Sequence, residues 1–376
     1  MTPHEDLTTA WLASAVAFVR LDEPALPSDA VFEAIVDACA PFRRGMRYSV
    51  VPAVTLDTER GRVPDVSDLV PKHGENLDGY LSSMSERGEG WALTVTEPLF
   101  DHYALWALLR KRLSALWMEV GHPIMPVGTE VILADGHGVL PVAPVDETTM
   151  YFGLSGSTVI EIGDDAHPLD AGAVLVAPAG TRPRLASAAA SMVARVRVLA
   201  RGSAPIVELV DVLAANADAL GDGAVAYRPW DDSDGELPGL LDTEPVLLAE
   251  EVADASVLER WQAVQWLGRV SSAGLEPPPS PREPEALDDD DVLALVTDVH
   301  IIPEPNSDRS LWGVNGQVFT VTGTIPGTVL DRLRAKPTAT VEELCSYADG
   351  EDNGALPLLY RLYVIRAIDL VERRNA

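Results

Sequence analysis

Thr149–Gly156 (TMYFGLSG), Ser157–Ile162 (STVIEI), Ala173–Ala177 (AVLVA) and Ser191–Leu199 (SMVARVRVL) decide how this chain is read. The first is apolar and aromatic and stops at glycine. The second alternates, is β-branched and ends in the turn Gly163-Asp164-Asp165. Leu169–Gly172 is a second turn, and Pro178-Ala179-Gly180, after the buried-looking Ala173–Ala177, is a third. Strands of about five to eight residues divided by Gly, Pro and Asp turns mark an antiparallel barrel or a double-sheet jelly roll.

Upstream, residues 1–130 mix helix and strand. Ala10–Val19 reads as a helix, and so does Asp29–Ala40, with Val31, Phe32, Ile35, Val36 and Cys39 at helical spacing. Arg47–Thr55 reads as a strand. Asp101–Glu119 is the clearest helix, because Leu105, Leu108, Leu109, Leu116 and Trp117 recur at three- and four-residue steps; Ile124–Leu133 is the next strand. Downstream, 205–272 is helical, with Ile206–Ala217 and Ser256–Arg269 as its two helices. Gly274–Ala286 then carries five prolines in thirteen residues and Asp288–Asp291 is acidic, the composition of an extended, proline-stiffened linker.

The C-terminal segment reads as strands Val299–Ile302, Leu311–Val314 and Val318–Thr322. The last two join at Asn315-Gly316, a strong hairpin signal. Gly327–Leu333, Thr340–Tyr347 and Leu356–Ile368 are helices, and Thr340 with Glu343 forms a capping box. Three strands with three helices is a winged-helix layout.

Leu169-x-x-Gly172-x-x-x-x-x-Pro178-x-Gly180 resembles the cupin turn L-x-x-G-D-x-x-x-x-P-x-G. With the upstream helix and strand, the segment resembles the JmjC-type cupins of the bacterial ribosomal-oxygenase and arginine-hydroxylase group. Such oxygenases hold iron with two imidazoles and a carboxylate, leaving positions open for co-substrate and oxygen. The family's spacing, counted back eleven residues from Gly156, puts its Asp at Val145 and its first His at Ala143. Counted three beyond Gly180, it puts the second His at Pro183. None of the three carries a donor atom. A slip of one or two residues recruits Asp146 or Glu147 and a larger one His137, yet no placement restores two histidines and a carboxylate.

The resemblance implies an α+β protein: a cupin/jelly-roll (JmjC-like) barrel over 1–200, a helical dimerisation region over 201–273, a Pro-rich acidic linker over 274–291 and a winged helix over 292–376. It also implies a homodimer, or a heterodimer with a related subunit. The winged helix resembles two modules, the tail of the ribosomal oxygenases and the precursor-peptide recognition element of ribosomally made, modified peptides. Thr338-Ala-Thr340-Val-Glu-Glu-Leu344 resembles the helix start x-x-T-V-x-E-L of the second. That element binds a leader peptide by strand addition, backbone bonds giving affinity and side-chain pockets specificity. Carried over, the peptide-binding residues are Gln317, Val318, Phe319, Thr320 and Val321 on the strand. On the helix they are Leu358, Arg361, Leu362 and Ile365, three of which equally suit a plain core.

Composition narrows the classes. The chain has 376 residues, 47% of them hydrophobic, with 58 acidic against 28 basic residues and a net charge of −30. That balance counts against nucleic acid, whose binding is driven by basic side chains displacing counterions. No run approaches the roughly 18 apolar residues that span a bilayer, and Met1–Asp6 is acidic where a signal peptide is basic. Only Cys39 and Cys345 occur, so no disulfide framework or thiolate cluster is expected. A cytoplasmic location follows as the expectation, with no membrane partner.

The remaining chemistry is sparse. His4, His73, His102, His122, His137, His167 and His300 show no His-x-x-x-His spacing. His4 and His73 have a carboxylate two residues on, but in polar stretches outside any strand. His102 suits a surface or capping role, and His137 is a turn residue and the best single ligand or base left. Gly153-Leu-Ser-Gly156 lacks the spacing of a nucleophile elbow, no glycine-rich phosphate loop follows a strand, and Asp288–Asp291 lacks the turn glycine of a calcium loop.

The reading leans away from catalysis: a non-catalytic, cofactor-free accessory protein that holds a ribosomally synthesised precursor peptide, or a protein partner, for modifying enzymes in a bacterial pathway. Two alternatives stand beside it. One is an iron/2-oxoglutarate-dependent hydroxylase of a peptide or arginine side chain. The other is a structural subunit that complements a catalytic partner.

Overall fold

The computed structural model describes residues 3–49, 51–136, 146–186, 189–200, 255–346 and 354–372. Ala143, Val145, His137 and the expected helix Ile206–Ala217 lie outside these residues. The chain divides into two compact units, one of residues 1–201 with 267–376 and the other of residues 202–266.

The first unit opens with helix α1 (Pro3–Ala13), strand β1 (Ala17–Arg20), helices α2 (Ser28–Ala38) and α3 (Ala40–Arg43), strands β2 (Ala53–Thr58) and β3 (Gly61–Arg62), helix α4 (Leu77–Ser85), strand β4 (Trp91–Thr96) and helix α5 (Tyr103–Val120). Strands β5 (Val127–Asp135), β6 (Glu147–Ser155), β7 (Ser157–Ile162), β8 (Asp165–Asp170), β9 (Ala173–Ala177), β10 (Arg184–Ala186) and β11 (Ser191–Leu199) follow. They form an antiparallel sheet of order β1-β9-β6-β11-β5-β4-β2-β3 and a small sheet β10-β7-β8.

Strand alternation gives the large sheet two faces. On one, Val131, Leu133, Met150, Phe152, Met192, Ala194 and Val196 join Val31, Ile35, Leu81, Leu109, Leu113 and Trp117 of α2, α4 and α5 in the largest core. Helix α5 earns its place through a stripe of Leu105, Trp106, Leu109, Leu113, Leu116 and Trp117, all buried. Its Trp117 indole stands edge-on to Trp11 at 5.1 Å and donates to the Ala273 carbonyl at 2.9 Å. On the other face Ile132, Ala134, Leu175 and Val193 meet Ile160 and Leu169 of the small sheet. A Cβ on Gly153 would lie 2.1 Å from the Asp170 carbonyl oxygen, so only glycine lets β6 pass this close to the end of β8.

Helix α6 (Ala255–Ser272) precedes strands β12 (Val292–Leu295), β13 (His300–Pro303), β14 (Arg309–Val314) and β15 (Gln317–Thr322). Helix α7 (Ile325–Ala335), strand β16 (Ala339–Thr340), helices α8 (Val341–Ser346) and α9 (Ala355–Val364) and strand β17 (Ile368–Glu372) complete the chain. The strands form two three-stranded sheets, β16-β12-β17 and β13-β14-β15. The β14–β15 hairpin turns on Asn315 and Gly316 at φ 50° and 83°, the left-handed pair of a type I′ turn. The capping box is formed: Thr340 Oγ1 accepts from the Glu343 amide at 3.1 Å and Glu343 Oε2 from the Thr340 amide at 3.4 Å. Among the described residues no helix is long and apolar enough to cross a membrane.

Several expected elements differ. Ala10–Val19 is not one helix: α1 ends at Ala13, Ser14 turns at φ 49°, and β1, with Phe18 and Val19, pairs with β9. Arg47–Thr55 gives way to a strand that starts only at Ala53, after Pro52, and runs to Thr58. Strand β8, whose two ends fall within the expected turns Gly163–Asp165 and Leu169–Gly172, has no hydrophobic alternation, and its Pro168 is accommodated because β8 is an edge strand. Leu356–Ile368 is a helix only to Val364; Arg366 at φ 62° reverses the chain into β17.

Candidate polar site on the inner face of the large sheet

The face turned to the small sheet is apolar at one end and charged at the other. Its rows follow from the register. Ala177, Thr149, Arg197 and Gly128 lie side by side across β9, β6, β11 and β5. The next row is Leu175, Tyr151, Arg195, Glu130 and, on β4, Thr96. Beyond it come Val193, Ile132 and Thr94, where the apolar end begins. Strand β7 leaves β6 at Gly156 and folds back along it, while the Gly172 amide bonds the Gly153 carbonyl at 3.0 Å. Residues 162–167 therefore lie at the charged end.

Glu130 and Arg195 are 7% and 5% exposed, a buried ion pair. Arg195 Nε donates to Glu130 Oε2 at 2.7 Å, and a second guanidinium nitrogen reaches the same oxygen. Arg197 Nε stands 3.2 Å from Glu130 Oε1, within ion-pair range but not aligned for a hydrogen bond. Its Nη1 donates to Glu147 Oε1 at 3.2 Å. Gly128 makes this reach possible, because a Cβ there would sit 3.1 Å from the Arg197 guanidinium. Burial raises the Tyr151 phenol above its ordinary pKa, partly opposed by Arg195. Thr149 is 1% exposed and its Oγ1 has no hydrogen-bond partner; the buried hydroxyl of Thr94 has none either.

On the opposite face, at the end of β4, Glu97 takes φ 50°. Its carboxyl accepts from the Thr129 amide at 2.7 Å and the Thr129 hydroxyl at 2.5 Å. Burial nevertheless pushes its pKa up to about 7, outweighing both bonds.

The residues singled out by spacing scatter. Pro183 is buried just before β10, two positions ahead of Leu185, the register partner of Ile160. His102 occupies the N-cap of α5 without capping it; its Nε2 lies 3.3 Å from Asp37 Oδ2, and His73 Nδ1 lies 3.9 Å from Asp37 Oδ1. His167 pairs with Ile160 on β8. On β15, the outer strand of its sheet, Gln317, Val318, Thr320 and Val321 are half-buried. Phe319 joins Leu358, Leu362 and Ile365 in the core of the C-terminal part, and Arg361 covers the Phe319 ring at 4.5 Å. No three His, Cys, Asp or Glu among the described residues could hold a metal ion. The two carboxylates of the polar rows are both committed to guanidinium groups, so these rows do not fit the iron of an oxygenase.

The polar rows themselves were not singled out from the sequence. The available signal was Arg195 and Arg197 two apart within an apolar strand, which places both on one face; their acidic partners lie on other strands and carry no local mark.

No family model and no curated protein matches the sequence. Two solved structures of the ribosomal oxygenase YcfD from Escherichia coli are similar over almost their whole length. The form in complex with cobalt and 2-oxoglutarate is 14% identical, with 99% of each chain covered and a TM-score of 0.51. Another structure is 14% identical, with 97% of this chain and 98% of that chain covered and a TM-score of 0.50. At that identity the likeness establishes the fold alone, one shared with this oxygenase. It also corrects the expectation of a non-catalytic holder of a precursor peptide, since the end-to-end match is to an oxygenase.

Proposed function

We propose that this chain is a hydroxylase of oxygenase architecture acting on a side chain of a peptide or protein, with the inner polar rows of the large sheet receiving the substrate. The observation that carries the reading is the extent of the likeness. It runs through 99% of this chain and of an oxygenase that binds 2-oxoglutarate with a metal, instead of stopping at the cupin sheets. In that class the iron takes two imidazoles and a carboxylate. The described residues do not supply them, so the reading requires donors outside the described residues, His137 among them, and no step is derived through the metal. The C-terminal part is read as a winged helix and residues 201–273 as a dimer-forming region.

The test is anaerobic titration with Fe(II) or Ni(II), alongside a succinate assay with 2-oxoglutarate and arginine-containing peptides. The expected result is one ion per chain and peptide-dependent succinate. Absence of both overturns the reading. Pro183, buried and without a donor where the family's second imidazole is expected, favours a second reading, a subunit that complements a catalytic partner. Succinate release that appears only when a copurifying partner is added supports it.

A further inference from the structure

We propose that the inner polar rows bind an uncharged carboxamide, such as an Asn or Gln side chain or a peptide amide, in preference to a carboxylate. The inference rests on the reading that this face is the site, and it names the group the site accepts.

The charges decide it. Within the described rows the two guanidinium groups of Arg195 and Arg197 face the two carboxylates of Glu130 and Glu147, so these four charges cancel, while the Glu97 carboxyl adds negative potential at Arg197 and Glu130 from the opposite face. A carboxylate entering it displaces Glu147 or adds an uncompensated negative charge beside residues that are mostly withdrawn from water, which is costly. A carboxamide brings no net charge. Its carbonyl oxygen accepts and its NH2 donates, the complement of a guanidinium and a carboxylate held side by side, as Arg197 Nη1 and Glu147 Oε1 are at 3.2 Å.

A second observation points to a ligand at the same place. Thr149 is the cross-strand neighbour of Arg197, is 1% exposed, and has an Oγ1 without a partner. A buried hydroxyl left unmade is a standing cost. Its other lateral neighbour is Ala177, which offers the hydroxyl no side-chain partner. A hydroxyl that both donates and accepts, next to a paired cation and anion, suits a neutral bifunctional group. A dicarboxylate co-substrate is anchored somewhere other than these rows.

The experiment is calorimetric titration of the full chain, without metal, with glutaramide and with glutarate at pH 7. The wild type is expected to bind the diamide about tenfold or more tightly than the diacid, the scale of one partly buried uncompensated charge. Glu147→Gln leaves one guanidinium uncompensated, and the preference should reverse toward glutarate. Arg197→Gln leaves a carboxylate in excess and should lose glutarate binding entirely. Equal or tighter binding of glutarate by the wild type overturns the proposal, as does an unchanged ratio in Glu147→Gln, or failure of the folded wild type to bind either probe. Because no metal is present, amide selectivity together with an absence of iron uptake and succinate sinks the hydroxylase reading alone.

Discussion

The two faces of the eight-stranded sheet are built from the same strands and obey different rules. Along β11, Met192, Ala194, Val196 and Val198 turn to the helices and enter the large core, while Val193, Arg195 and Arg197 turn to the small sheet. The helix-facing side is a packing surface on which any well-fitting apolar side chain serves. The other side buries the Glu130–Arg195 pair and half-buries Arg197 and Glu147 beside it, and buried ion pairs are weak sources of stability, often no better than apolar residues of the same size. Charges kept where stability does not ask for them mark a site, and this contrast is why the inner face and not the helical face is the functional candidate.

The largest test of that contrast removes one partner. Glu130→Ala leaves the Arg195 guanidinium, 5% exposed, without its carboxylate, and should cost about 3–5 kcal/mol in urea unfolding. Replacing the pair together, as Glu130→Met with Arg195→Leu, should be close to neutral or stabilising. A double variant as unstable as the single one would show that the pair holds the fold up, and the distinction between the faces would break.

Much of the fold was legible because it is written locally. Ser157–Ile162, Ala173–Ala177 and Ser191–Leu199 are strands with the boundaries their alternation and turns imply, and the Asn315-Gly316 hairpin and the Thr340/Glu343 box depend on neighbours in sequence. The misread elements owe their existence to distant partners. Strand β1 exists by pairing with β9, and β17 by pairing with β12. The polar rows belong with these. Glu130 and Arg195 are 65 residues apart, and nothing in the neighbourhood of either announces the other. Spacing pointed instead to Pro183, which was found buried, and to Ala143 and Val145, which lie outside the described residues.

A test of intermediate size lies on the helix-facing side, where one carboxyl is out of character. Burial raises the Glu97 pKa to about 7, above the ordinary value near 4.5 that it regains on unfolding. The folded state therefore holds the proton more tightly. Its stabilising contribution is complete below about pH 4.5, declines as pH rises toward 7 and is absent above. Glu97→Gln should flatten that slope and leave the protein about 2–3 kcal/mol more stable than wild type at pH 8, seen in urea midpoints across pH. An unchanged slope would mean that water reaches the carboxyl and that this face is less dry than its packing implies.

The smallest expected effect separates stability from binding most sharply. Thr149→Val swaps an unpartnered buried hydroxyl for a methyl of nearly the same shape. Burying an unsatisfied hydroxyl is unfavourable, so the variant should gain about 1 kcal/mol. The mirror change on the other face, Val196→Thr, introduces the same defect into the large core and should lose a similar amount. If Thr149 is retained for a ligand, the stabilised variant should also bind glutaramide less tightly, while Val196→Thr leaves that binding alone. A Thr149→Val protein that is more stable and binds the diamide undiminished would reduce the hydroxyl to a packing imperfection. The rows would then hold their ligand through Arg197 and Glu147 alone.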